Sequence, residues 1–233
     1  MTEQKHVRPS TVSGPRTGLF IAFEGGDGAG KSTQSRLLAE ALSERGMTVV
    51  QTREPGGTAI GEKLRSLVLE HGHGTIDSRT EALMYAASRA AHAEQLIKPA
   101  LDRGEAVITD RYIDSSVAYQ GVARGLGSEE IRGLNEWATD SLWPDFTVVL
   151  DVSPEHGRAR RTAGAAVEDR LESEPDTFHA MVRQAFLDVA AKRPEMYLVI
   201  DASLPIETIS AQILERVEGV FADRRAQPAG ERQ

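Results

Sequence analysis

The run Gly25-Gly26-Asp27-Gly28-Ala29-Gly30-Lys31-Ser32 matches G-x-x-x-x-G-K-[ST] at every fixed position. That spacing is chemistry for phosphate. Glycines there let successive backbone N–H groups turn inward towards anionic oxygens. Lys31 reaches the β- and γ-phosphates of a nucleoside triphosphate, and the Ser32 hydroxyl supplies an oxygen for Mg²⁺. A helix opening at this point aims its positive end at the same place.

Other side chains could act on phosphate from elsewhere in the chain. Arg53, followed by Glu54, offers a planar fork of donors suited to a phosphate monoester. Asp110 is placed to hold Mg²⁺, directly or through water, and Arg111 to bridge two phosphates. The segment GRARRTAGAAVEDRLE (157–172) carries Arg158, Arg160, Arg161 and Arg170 around a small-residue middle. That pattern suits a mobile lid that closes over a nucleotide and expels water. Arg89 stands four residues after Tyr85, so the two share a helix face.

These residues need a frame, and the apolar pattern supplies one. Segments 18–25, 47–54, 105–110, 145–152 and 197–203 read as short strands. Segments 31–46, 60–70, 80–104, 128–139, 177–194 and 205–221 read as helices, with Pro99 kinking or restarting the third and Ser128 capping the fourth. Apolar strands alternating with helices imply an α/β fold in three layers: a five-stranded parallel sheet with helices on both faces. The candidate residues then fall at strand ends, where such sheets bind ligands. Residues 1–16 and 223–233 are expected to be flexible tails around one domain spanning 17–222.

Composition narrows the function classes. The chain has 233 residues and a formal net charge of −8, a poor balance for general nucleic-acid binding. With no cysteine, it has no disulfide, zinc–thiolate site or thiol nucleophile. No apolar run is long enough for a membrane span, and the N-terminus lacks a signal-peptide core, so a cytoplasmic protein is expected.

Five segments in this order, FEGGDGAGKST (23–33), TREPGGT (52–58), ALMYAASRAAH (82–92), DRYIDSSVAYQG (110–121) and DRLE (169–172), resemble the bacterial thymidylate kinases. The resemblance runs from about residue 17 to 222. It implies a P-loop fold, a Mg²⁺-dependent transfer of the ATP γ-phosphate to dTMP, and a homodimer. ATP would lie on Gly25, Gly26, Asp27, Gly28, Ala29, Gly30, Lys31, Ser32 and Thr33. In this resemblance Arg53 takes the acceptor phosphate beside Glu54, and Pro55 follows a cis bond. Tyr85 stacks on thymine, and Arg89 contacts the base or phosphate. Either Ser115 or Ser116 reads the thymine edge together with Gln120. Asp27 lies near the acceptor sugar and Mg²⁺, with Ser32 and Asp110 as further metal positions and Glu172 in the outer metal shell. Two departures stand out: Ser88 and Ala91 occupy positions where relatives often carry Asp and Gln. Position 28 is Gly and not Arg or Lys, so the chain resembles members whose catalytic arginine comes from the lid, here Arg158 or Arg161. The catalytic set is then Lys31, Arg111, Asp27 and a lid arginine.

A GTPase-type switch is the main rival. Such proteins carry an Asn-Lys-x-Asp guanine-reading motif, which is missing here, and they lack an acceptor site. Lys31→Ala is expected to abolish phosphoryl transfer and leave the fold intact, because its ammonium meets phosphate and not core. Near wild-type turnover at saturating ATP overturns the phosphate-loop assignment.

Overall fold

A computed structural model describes residues 17–162 and 168–226. Residues 1–16, 227–233 and the middle of the expected lid, 163–167, lie outside the described residues, as do the side chains of Arg161 and of 222–226.

Five parallel strands form one sheet: β1 (Leu19–Glu24), β2 (Val49–Arg53), β3 (Ala106–Asp110), β4 (Phe146–Asp151) and β5 (Tyr197–Asp201). Their order is β2-β3-β1-β4-β5. Around them run α1 (Lys31–Glu44), α2 (Ala59–Leu69), α3 (Ser78–His92), α4 (Lys98–Asp102), α5 (Ile113–Ser116), α6 (Ser128–Thr139), α7 (Pro154–Thr162), α8 (Asp176–Lys192) and α9 (Ile206–Ala226). The order puts β1 at the centre, with β3 and β4 on either side. The chain reverses its winding there, which opens a crevice at the carboxyl ends of these strands.

The central strand shows why the sheet is covered twice. Leu19, Ile21 and Phe23 of β1 face Leu38 and Leu42 of α1 and Ile209, Ile213 and Val217 of α9. Phe20 and Ala22 alternate to the other face, against Ala82 of α3, Ile97 just before α4 and Leu101 within it. A strand buried on both faces must be apolar at every position, as this one is until Glu24. A third cluster, with Leu69, Tyr85, Tyr119, Leu171, Phe178 and Phe186 among its members, lies over the carboxyl end of β4.

Several elements depart from the sequence expectation. The helix expected over 80–104 does restart at Pro99, as expected, but the interruption before it is a wide turn. It widens into a π-turn over Ala93–Ile97 and resumes as α4, because Pro99 brings no N–H for the regular ladder. A second π segment, Val117–Ala123, continues α5. Ser128 does not cap α6. It is the first helical residue, and the cap position belongs to Gly127 at φ 94°, without a side-chain cap bond. Gly127 holds a conformation that favours glycine, so the start of the helix is set one residue earlier. Finally, α9 runs to Ala226, past the expected end at 221 and into the segment expected to be a tail.

Candidate functional site

The phosphate loop leaves β1 at Glu24 and enters α1 at Lys31. Gly25, Gly28 and Gly30 have φ values of 128°, 81° and 93°. At two of them the space is also taken. A Cβ on Gly25 would stand 2.3 Å from the Leu150 carbonyl oxygen, and one on Gly28 2.3 Å from that of Gly157 in α7. Lys31 is buried, and its Nζ donates to the carbonyls of Gly25 (3.1 Å) and Gly26 (3.0 Å). Burial, and then the neighbouring Arg111, lower its pKa below the ordinary lysine value. Anionic oxygens seated in the loop would relieve that strain on the ammonium charge. Ser32 Oγ donates to Asp110 Oδ2 at 2.8 Å, so the first turn of α1 meets the end of β3.

Arg111 follows Asp110 and sits at φ 73°, in the left-handed region. Its Nη2 contacts Asp27 Oδ1 at 2.5 Å and Tyr119 Oη at 3.3 Å. Its Nη1 donates to Ser115 Oγ (3.1 Å) and to the Gly25 carbonyl (3.3 Å). Burial opposes the charge, yet Asp27, Tyr119 and Asp110 outweigh it and raise the pKa. Glu24 holds the turn that carries Arg111. It accepts from the Tyr112 N–H (2.8 Å), the Ser115 N–H (3.1 Å) and the Ser115 hydroxyl (2.6 Å).

A cavity opens beside the loop. Asp27 and Arg111 border it on the loop side, Tyr85 on the α3 side, and Ser116 and Gln120 on the third. Glu54, Pro55, Ser115 and Tyr119 also line it. The Glu54–Pro55 peptide is cis, as expected. Tyr85 belongs to the third apolar cluster and lines the cavity as well, so it is core and site at once. The two serines are distinguished by their bonds. The Ser115 hydroxyl gives its proton to Glu24 and accepts from Arg111. Ser116 Oγ accepts from Arg89 Nη1 at 2.9 Å, which leaves its own proton for the cavity.

Not every expected residue reaches this cavity. Arg53 turns away and forms a two-pronged pair with Glu62 at 2.8 and 3.0 Å. That contact, chiefly the hydrogen bond from Arg53, holds the Glu62 carboxyl down at about 2. Arg53 shares a separate surface hollow with Ser32 and Asp110. Arg89 is buried under the floor, where it donates to Glu54 (2.6 Å), Ser116, Asn135 and the Tyr112 carbonyl (3.0 Å). Asp27 lies with Arg111 and Lys31, while Ser32 and Asp110 pair with each other. Ser88, one of the two departures, is not idle: its Oγ accepts from the Gly56 N–H at 3.2 Å. Thr33 lies on α1 just past the loop.

In the expected lid, Arg158 pairs with Asp176 at 2.7 Å. Arg160 is the described α7 arginine that reaches the loop, donating to the Gly28 carbonyl (3.4 Å) and to Ala202 (2.9 Å). Arg161 lies on α7, its side chain outside the described residues. Arg170 is tied down, donating to the Val68 carbonyl (2.8 Å) and to Glu81 (2.6 Å). Glu172 lines the cavity and accepts from the Asp169 N–H.

Sequence reasoning missed Arg65. It stands on α2, lines the cavity, and donates to the Pro55 carbonyl at 3.0 Å. The one signal was a lone arginine on an amphipathic helix just after TREPGG. It also missed His92, fully buried, whose Nδ1 donates to Glu54 at 2.9 Å and so fixes that carboxylate from behind.

Comparison with known proteins agrees with this geometry. A family model described as thymidylate kinase matches residues 23–213. A thymidylate kinase from Clavibacter sepedonicus is 53% identical over 206 residues, covering 88% of this chain and 97% of its own. One from Cutibacterium acnes is 48% identical over 204 residues, covering 88% and 98%. The crystal structure of thymidylate kinase from Ehrlichia chaffeensis superposes with a TM-score of 0.69 at 36% identity, over 86% of this chain and 98% of that one.

The Glu24 carboxyl gives a pH test. Burial, reinforced by Asp114, raises its pKa from 4.5 to about 7 against the pull of Arg111 and the hydrogen bonds. A carboxyl raised on folding binds its proton more tightly in the folded state. Its contribution to stability is full below the unfolded value and is lost as pH climbs through the folded one. The melting temperature is expected to fall between about pH 5 and about pH 8, and Glu24→Gln to remove part of that fall. An unchanged slope in Glu24→Gln assigns the titration to another group.

Proposed function

The chain belongs to the thymidylate kinase family, whose reaction moves the γ-phosphate of ATP to dTMP, and on that premise we propose that the cavity lined by Tyr85 is its dTMP seat. One observation carries this reading. Arg111 touches the phosphate loop at Gly25 and Asp27 and also lines the cavity, so one guanidinium borders donor and acceptor at once.

The roles follow from the geometry. The loop from Gly25 to Ser32 takes the ATP phosphates, with Lys31 exchanging its carbonyl partners for phosphate oxygens. Thymine lies on the Tyr85 ring, an arrangement that stacking favours. Ser116 offers its hydroxyl proton to a ring carbonyl, so of the two serines it is the reader. Arg65 and Arg111 hold the acceptor phosphate. Arg53, engaged with Glu62, acts from outside the cavity. The acceptor phosphate oxygen is itself the nucleophile, so the protein needs no general base. Its work is to align two polyanions and neutralise charge as it shifts. Arg160 is placed to add a cation from α7.

Ser32 and Asp110 meet as an all-oxygen pair at the loop, a donor set that suits Mg²⁺. They would hold the ion, and Asp27 would stay with Arg111. Mg²⁺ there supplies neutralisation of the triphosphate charge.

The reading extends to a cytoplasmic homodimer, in keeping with ATP as donor. No helix among the described residues is long and apolar enough to cross a membrane. Most of the apolar stripe of residues 82–101 is intramolecular core: Ala82, Ala86, Ala93, Ile97, Ala100 and Leu101 are buried. Leu83 is the large apolar residue of the stripe left outside, 58% exposed, and Ile60 and Leu67 of α2 are exposed as well. A second copy would cover that face.

An ADP-release assay with dTMP, dUMP, dCMP, dGMP and dAMP as acceptors tests the reading, and dTMP is expected to lead. Tyr85→Ala should raise KM for dTMP tenfold or more, since stacking contributes about 1–3 kcal/mol per base, and leave KM for ATP nearly unchanged. A variant with unchanged dTMP affinity and only a lower melting temperature makes Tyr85 core alone.

Single alanine variants of Arg158, Arg160 and Arg161 locate the transferred-phosphate clamp. A clamp acts on developing charge, so turnover should fall roughly 10²-fold while dissociation constants move little. The loss at Arg160 should exceed that at Arg158. If all three keep turnover within a few-fold, Arg111 carries the clamp alone.

A further inference from the structure

Gln120 lines the cavity but is almost fully buried, and its amide can face the substrate either way round. Flipping it exchanges an acceptor for a donor, so its orientation is a choice with consequences for recognition. Glu81 makes that choice. It lies one turn before Tyr85 on α3 and is wholly buried. Its Oε1 accepts from Gln120 Nε2 at 2.9 Å. A carboxylate has only acceptors to offer, so the amino end of Gln120 must point at Glu81. Among the described residues, no hydrogen bond engages Gln120 Oε1.

Two arginines keep Glu81 in the form of an acceptor. Arg170 Nη2 donates to its Oε2 at 2.6 Å, and Arg124 donates to both oxygens at 3.3 Å. Arg124 is held in turn by Glu174 at 2.7 Å, and Arg170 by the Val68 carbonyl. The result is a buried anion between two cations, with a single neutral donor, Gln120, left to satisfy. Reversing the amide would set Oε1 against the carboxylate and cost a buried hydrogen bond.

We propose that Glu81 is the specificity-positioning residue of this site: it locks Gln120 so that an acceptor faces the base and selects pyrimidines that carry a ring N3–H over those with a lone pair there. Thymine and uracil donate from N3. Cytosine has a lone pair at N3 and meets Gln120 Oε1 with repulsion. Ser116 supplies the complementary donor. This inference rests on the cavity being the acceptor-nucleotide seat.

The test compares kcat/KM for dTMP and dCMP in wild type, Glu81→Gln, Gln120→Ala and the double variant, with folding followed by circular dichroism. A carboxamide at position 81 can donate as well as accept, so Gln120 is released to turn. The dTMP/dCMP ratio should fall about tenfold in Glu81→Gln, the size of one well-placed hydrogen bond. In the Gln120→Ala background the same substitution should leave the ratio unchanged. Should Glu81→Gln fail to fold, Glu81→Asp keeps the charge and withdraws the carboxylate by one methylene, with the same fall expected. Equal loss for both nucleotides, at an unchanged ratio, makes Glu81 a structural anchor and overturns the inference. A ratio that still falls without Gln120 overturns the route through that residue. Wild-type enzyme that phosphorylates neither nucleotide overturns the seat itself, a separate and recognisable failure.

Discussion

The contact between Arg111 and Asp27 joins two parts of the chain 84 residues apart, the phosphate loop after β1 and the turn after β3. Because β1 and β3 pair in register, with Phe23 opposite Asp110, both turns leave the sheet at the same level. Arg111 must then adopt a left-handed backbone to bring its guanidinium back over the loop. That conformation costs a non-glycine residue about 1–3 kcal/mol. Glu24 offsets it by gathering the next amides and a hydroxyl onto one carboxylate. The Tyr119 ring supports the guanidinium from 5.2 Å. Remove the constraint, and the loop and the cavity become neighbours without a common cation.

Around this contact the site is built from buried charge. Glu54 is held by Arg89 and His92, Glu81 by Arg124 and Arg170. Burying ions is a weak source of stability, since desolvation consumes most of the Coulomb gain, and breaking one partner costs about 3–5 kcal/mol. What such pairs do give is direction. Glu81 accepts from Gln120, a neutral side chain that borders the cavity, and Glu54 orients the buried Arg89 that reaches Ser116. The apolar cluster of Tyr85, Tyr119, Leu171 and Phe178 excludes water from the same wall, which sharpens every polar contact there.

How far this could be read from the sequence depended on how local each cause was. The loop was legible because its glycines, Lys31 and Ser32 lie within eight residues and answer to one ligand. All five strands were legible from apolar runs, and their boundaries moved by a residue or two. Pro99 announced a disturbance, and the helix does restart there after a widened turn whose width the sequence pattern did not show. Arg53 looked like a phosphate ligand because it ends a strand. That position says nothing about Glu62, which captures it from the next helix. Arg65 was invisible for the converse reason: its role arises from the turn that brings α2 back across the Pro55 carbonyl. Likewise, no pattern told Ser115 from Ser116, since the difference lies in Glu24 and Arg89, distant in sequence from both.

Gly28 and Gly157 share one volume: the backbone of α7 stands where any side chain at position 28 would begin. A cation can be mounted on the loop, or the α7 backbone can be pressed against it, but the two cannot coexist. A single substitution at 28 meets the carbonyl of 157 before it meets any phosphate. Placing a side chain on the loop at 28 thus requires α7 to shift. Any side chain at position 28 therefore acts on the placement of α7 before it acts on a ligand.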